Sequence, residues 1–141
     1  MKHLLSFLLI LFGVVVACIA ASMILTGPDA TGNLFARIVS SIFNTDPVLT
    51  GLGNANADSE LRFYSAFFFV YGLFVVKVGS NLNEYTNWVP PIIGVFFLGG
   101  LARLLSYYLI GEPHIFFQVL LALELLLPPL FFGIWKLAKK K

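Results

Sequence analysis

Arg103 lies in the apolar run 89–110 and Glu124 in the apolar run 115–135, so each places a charge well inside a hydrophobic stretch. A lone charge at the centre of a membrane helix costs roughly 2.5 to 3.5 kcal/mol even on a lenient insertion scale. Each residue therefore needs a partner, and each can serve the other. Arg103 stands seven residues before Ile110 and Glu124 nine after Ile115. At about 1.5 Å of rise per residue, both fall roughly 10 to 14 Å below the same surface. On adjacent antiparallel helices that shared depth permits a salt bridge. Helical spacing puts Phe96, Gly99, Gly100, Ser106 and Tyr107 on the face of Arg103, and Phe117, Leu121 and Pro128 on the face of Glu124.

Nearer that surface are Glu60 and Arg62 at the mouth of the second apolar run, and Glu112 and His114 between the third and fourth. Two readings stand side by side. In one, Arg62, Arg103, Ser106, Tyr107, His114 and Glu124, with Glu60 beside them, line a pocket for a small anionic or lipid-like ligand. In the other, the same charges form a closed ion-pair network that only fixes helix register. A membrane carboxylate can also exchange protons with a substrate, which adds a proton-coupled small-molecule transporter as an alternative, although the arginine beside Glu124 works against that use. A structural or accessory subunit of a larger membrane complex is the remaining alternative.

Other chemistry finds little footing. The two histidines, His3 and His114, lie toward opposite membrane surfaces, and Cys18 is the single cysteine, so no metal-ligand spacing and no dithiol pair exist. Phosphate-loop, dinucleotide and nucleophile-elbow patterns are absent. No cofactor is expected, and the chain reads as a binding protein rather than an enzyme.

The elements that must hold these residues follow from composition. With 59% hydrophobic and 11% charged residues in 141, the chain has far more apolar surface than a water-soluble domain of this size can bury. A bilayer core takes roughly 20 apolar residues per helix. Four such runs occur, at about 4–26, 61–79, 89–110 and 115–135. The expectation is one all-α domain over 1–141, an integral membrane four-helix bundle. Lys2, Lys77, Lys136, Lys139, Lys140 and Lys141 fall on one side, and Asp29, Asp46, Asp58, Glu60 and Glu112 on the other. By the positive-inside tendency both termini are cytoplasmic, in a multi-pass protein of the bacterial inner (cytoplasmic) membrane.

The long outer connection holds Leu34, Phe35, Ile38, Val39, Ile42 and Phe43 at helical spacing, with Arg37, Ser40 and Ser41 on the other, polar face. A short interfacial amphipathic helix is expected over about 33–43. Gly27-Pro28-Asp29 reads as a breaker, Asp58 or Ser59 as the cap of the second span, and Pro113 as the first residue of the fourth. Gly13, Ala17 and Ala21 should admit a close neighbour helix, with Cys18 as a small buried residue among them. Pro128-Pro129 should kink the fourth span.

Three segments carry a family resemblance: Glu60-Leu61-Arg62-Phe63-Tyr64-Ser65-Ala66-Phe67, Gly99-Gly100-Leu101-Ala102-Arg103-Leu104-Leu105-Ser106, and Glu124-Leu125-Leu126-Leu127-Pro128. Together they resemble a family of small bacterial membrane proteins catalogued as domain of unknown function 4345. The resemblance implies a four-helix membrane protein in which Arg62, Arg103, Ser106 and Glu124 matter. A more distant likeness to the DoxX group implies work beside quinone-linked oxidoreductases, by analogy. Membrane lipids are the expected partners, with a homo-oligomer or a larger membrane protein complex beside them, and no nucleic acid.

Overall fold

A computed structural model describes residues 1–139, so Lys140 and Lys141, part of the basic tail invoked above, lie outside the described residues. Six α-helices form: α1 (Lys2–Thr26), α2 (Pro28–Phe43), α3 (Ala55–Ser80), α4 (Leu82–Tyr85), α5 (Val89–Ile110) and α6 (Ile115–Lys139), with a 3-10 turn at Thr86–Trp88. No strand occurs among the described residues. Four helical stretches, Lys2–Thr26, Ala55–Ser80, Leu82–Ile110 and Ile115–Lys139, are long and apolar enough to cross a membrane. The chain is thus an all-helical membrane protein by length and composition.

Two compact units emerge, one of Met1–Leu11 with Val75 onward, the other of Phe12–Phe74. In the second unit, α1 meets α3 through small residues. A methyl group added to Gly72 would lie 2.7 Å from both Ala17 N and Gly13 O. Gly13 and Ala17 therefore do admit a close helix, and the residue that approaches them is another glycine. Cys18, by contrast, is exposed. It is one residue on from Ala17, about 100° around the helix, and so it leaves the contact face.

The connection after α1 is helical from Pro28, earlier than the apolar spacing suggests, because proline at the first helical position suits the fixed backbone angle there. Its protein-facing side is the small one: Pro28, Thr31, Gly32, Ala36 and Ser40 are buried. Leu34, Ile38, Ile42 and Phe43 are exposed, and so is Arg37. Ser40, placed above on the polar side, is buried because its hydroxyl donates to the carbonyl of Asp46 at 2.6 Å and closes the turn that follows.

Helix α3 begins at Ala55, a turn before the expected cap. Asn54 Oδ1 accepts the Asn56 amide at 3.0 Å and does the capping, which frees Asp58 for another role. In the first unit, α5 and α6 pack along their length, and α6 continues through Pro128 and Pro129. Pro113 precedes α6. His114 occupies the cap position instead, and its Nδ1 accepts the Phe116 amide at 3.1 Å.

Candidate functional site

The packing of α5 on α6 builds the first charged site. Gly100 is buried, and a methyl group there would meet Glu124 Cβ at 3.0 Å and Leu125 at 2.9 Å. This missing side chain lets α6 come in at the level of Glu124. A methyl group on Gly99 would lie 3.9 Å from Glu124 Oε2, so the two glycines form the bed of the carboxylate. Arg103 is three and four residues beyond these glycines, which places it on the same face of α5.

There Arg103 Nε donates to Glu124 Oε2 at 2.8 Å and to Oε1 at 3.0 Å. The partners are unequal in exposure: the Arg103 side chain is 38% accessible and that of Glu124 11%. Both hydrogen bonds draw on one nitrogen. A guanidinium carries five N–H donors, and the usual bidentate fork would use two nitrogens against two oxygens. Phe117, two turns earlier on α6, lies 5.7 Å from Arg103 Cζ and offers the face of its ring to the cation.

The remaining residues of this group spread out. Tyr107 is half-buried and makes an edge contact with Tyr108, at 6.0 Å between ring centres, while Ser106 is exposed. Glu112 accepts from Gln118 Nε2 at 3.0 Å, and His114 caps α6 as described. Among the described residues no three of His, Cys, Asp and Glu are grouped so as to hold a metal ion.

Arg62 belongs to the second unit, and its environment is different. Nε donates to Asp58 Oδ1 at 2.6 Å, Nη2 to Asp58 Oδ2 at 3.2 Å, and Nη1 to the carbonyl of Ile24 at 2.6 Å. All three nitrogens are engaged, and the side chain ties the start of α3 to the end of α1. Glu60 is exposed. The partner of Arg62 is thus Asp58, one helical turn away, at a spacing legible in the sequence.

Gly27 makes room for this arrangement. Its φ of +99° is costly for any residue with a Cβ, and that Cβ would stand 2.8 Å from Arg62 Nη2. Gly27→Ala is expected to cost about 1 to 2 kcal/mol from backbone strain alone, more with the clash. In an Arg62→Ala background the clash disappears and only the strain remains. Thermal unfolding in detergent, compared across the two single variants and the double, measures both parts; a Gly27→Ala protein as stable as wild type would refute the arrangement.

At the other end of the first unit, hydrogen bonds join residues far apart in the chain. Ser6 Oγ donates to the carbonyl of Gly79 at 2.6 Å, Trp135 Nε1 to that of Thr86 at 2.9 Å, and Lys139 Nζ to Asn87 Oδ1 at 3.1 Å. These bonds join residues 49 to 73 positions apart in the chain, so no local pattern announces them.

No curated protein and no solved structure matches this chain. A family model does, over residues 4–135, which takes in the four apolar stretches, the Arg62 staple and the Arg103–Glu124 pair. The chain therefore belongs to the family described as Domain of unknown function (DUF4345).

Proposed function

We propose that this protein is a binding module of the bacterial inner membrane, in which Arg103 receives the acidic group of a small anionic or lipid-like ligand from the outer half of the membrane. One observation carries the reading: Arg103 spends a single nitrogen on Glu124 while more than a third of its side chain stays accessible. A pair built only to lock α5 against α6 would use the full fork and bury it. Here the terminal amino groups are not consumed by the carboxylate, inside a segment where an unanswered cation is costly.

The orientation proposed with it, both termini cytoplasmic, rests on the lysines at 2, 77, 136 and 139 against the acidic residues at 29, 46, 58, 60 and 112. In that orientation α2 lies in the outer interface, with Leu34, Ile38 and Ile42 turned to lipid and its small-residue face on the protein.

Arg103→Lys tests the ligand reading. Lysine keeps the charge and can still pair with Glu124, so the fold survives, but the planar fork is gone. Titration with a fluorescent fatty acid is expected to show at least ten-fold weaker binding in the variant. Equal binding by wild type and variant would sink the proposal. The exposed aromatic face of α3, with Phe63, Phe67 and Phe68, favours a second reading as an accessory subunit docked on another membrane protein. The quinone-linked setting implied by the distant likeness belongs to that reading, and crosslinking in native membranes that returns monomer alone would count against it.

A further inference from the structure

The first unit contains a cavity of about 510 Å³ lined by Lys2, His3 and Ser6 of α1, by Gly79 and Ser80 at the end of α3, and by residues 81–84 after it, among them Asn83 and Glu84. A smaller one of about 110 Å³ shares Lys2 and Asn83 with it and adds Thr86 and Lys139. From these we infer a second binding site, separate from Arg103, for a phosphate group carried by a membrane lipid.

The floor is fixed first. The Ser6 hydroxyl is committed to the Gly79 carbonyl at 2.6 Å, and a methyl group on Gly79 would touch Leu9 and Ile10 at 3.0 Å, so α1 and α3 close tightly beneath the cavity. Above that closure the lining is polar apart from Leu82 and Ala138. Lys2 and Lys139 supply two ammonium groups, Glu84 is the one carboxylate of the linings, and the balance is positive even with His3 neutral. Asn81 already donates to the Lys77 carbonyl at 3.2 Å, which leaves Asn83, shared by both cavities, as the amide placed to donate to a phosphate oxygen. Ammonium and amide donors around a concave wall suit a tetrahedral oxyanion.

The surroundings point to a lipid as its carrier. Trp135 donates to the Thr86 carbonyl at 2.9 Å and lies 4.7 Å under the Lys139 ammonium, a pairing suited to the headgroup level of a bilayer. His3, Phe7 and Leu11 recur every four residues on α1, and Phe7 and Leu11 are 62% and 50% exposed. An acyl chain hanging from a headgroup in the cavity would run down that stripe. The volume is within the range of roughly 300 to 1,000 Å³ typical of small-molecule sites.

The test uses the full chain, stripped of lipid in detergent, and follows tryptophan fluorescence, because Trp88 and Trp135 both belong to this end and are the two tryptophans of the protein. Wild type, Lys2→Gln/Lys139→Gln, Asn83→Ala and, as a control in neither site, Val70→Leu are titrated with a short-chain phosphatidylglycerol, with glycerol phosphate and with inorganic phosphate. Phosphatidylglycerol is expected to bind the double variant at least ten-fold more weakly than wild type, with Asn83→Ala in between and Val70→Leu unchanged. The tryptophan signal arises at this end alone, which keeps this site distinguishable from the Arg103 reading. Competition by inorganic phosphate or glycerol phosphate at equal concentration would make a free phosphate the occupant, whereas weak competition supports the lipid. Undiminished binding of all three probes by both the Lys2→Gln/Lys139→Gln and the Asn83→Ala proteins, with unchanged thermal unfolding, would overturn the site.

Discussion

Gly72→Leu is expected to be the most damaging single substitution in the chain, lowering stability by about 3 kcal/mol or more and abolishing a monodisperse detergent preparation. Position 72 faces backbone. The first added carbon would stand 2.7 Å from Ala17 N and Gly13 O and 3.0 Å from Ala17 Cα, and no rotamer change can move those atoms. The helices must part, and every contact between α1 and α3 in this unit weakens with them. The matched control is Val70→Leu, because Val70 is 65% exposed on a helix long and apolar enough to cross a membrane, where either side chain fits. Equal thermal unfolding midpoints for Gly72→Leu and wild type would show that α1 and α3 do not approach as described.

Glu124→Leu should cost nearly as much for an electrostatic reason. It removes the carboxylate that answers Arg103 and strands the cation in an apolar span, at roughly 2.5 to 3.5 kcal/mol less whatever the long side chain recovers by reaching toward the surface. The double variant Arg103→Met/Glu124→Leu is expected to regain most of that loss, since deleting a pair is cheaper than breaking it. A double-mutant cycle by thermal unfolding yields the coupling directly. A coupling near zero would mean that the Nε contacts at 2.8 and 3.0 Å do not join α5 to α6. The cycle also separates stability from binding: Met and Leu together restore the first and leave no donor for a ligand.

The two arginines illustrate how far residue type alone can lead. Arg62, at the mouth of an apolar run, and Arg103, inside one, each have an acidic residue within reach. Arg62 is saturated by Asp58 and the Ile24 carbonyl, whereas Arg103 meets its carboxylate through one nitrogen. The first is a staple and the second is the better candidate for binding. Spacing shows that Arg62 has Asp58 one turn away, but not that a carbonyl at the end of another helix takes up its remaining donor. In the same way the apolar residues of α2 are visible as a stripe, but the surface against the protein is its row of small residues, Gly32, Ala36 and Ser40, a choice made by what packs there.

The amino-acid sequence by itself determined the class of solvent, the number of apolar stretches and the need of Arg103 and Glu124 for one another. These depend on composition, length and the cost of charge in hydrocarbon, which act residue by residue. Tertiary structure alone decided how many donors each arginine keeps, which face of α1 is in contact, and that Lys2, Asn83 and Lys139 gather around shared space at one end of the first unit. Such outcomes depend on which backbone lies opposite, and that is settled only when distant segments fill the same volume.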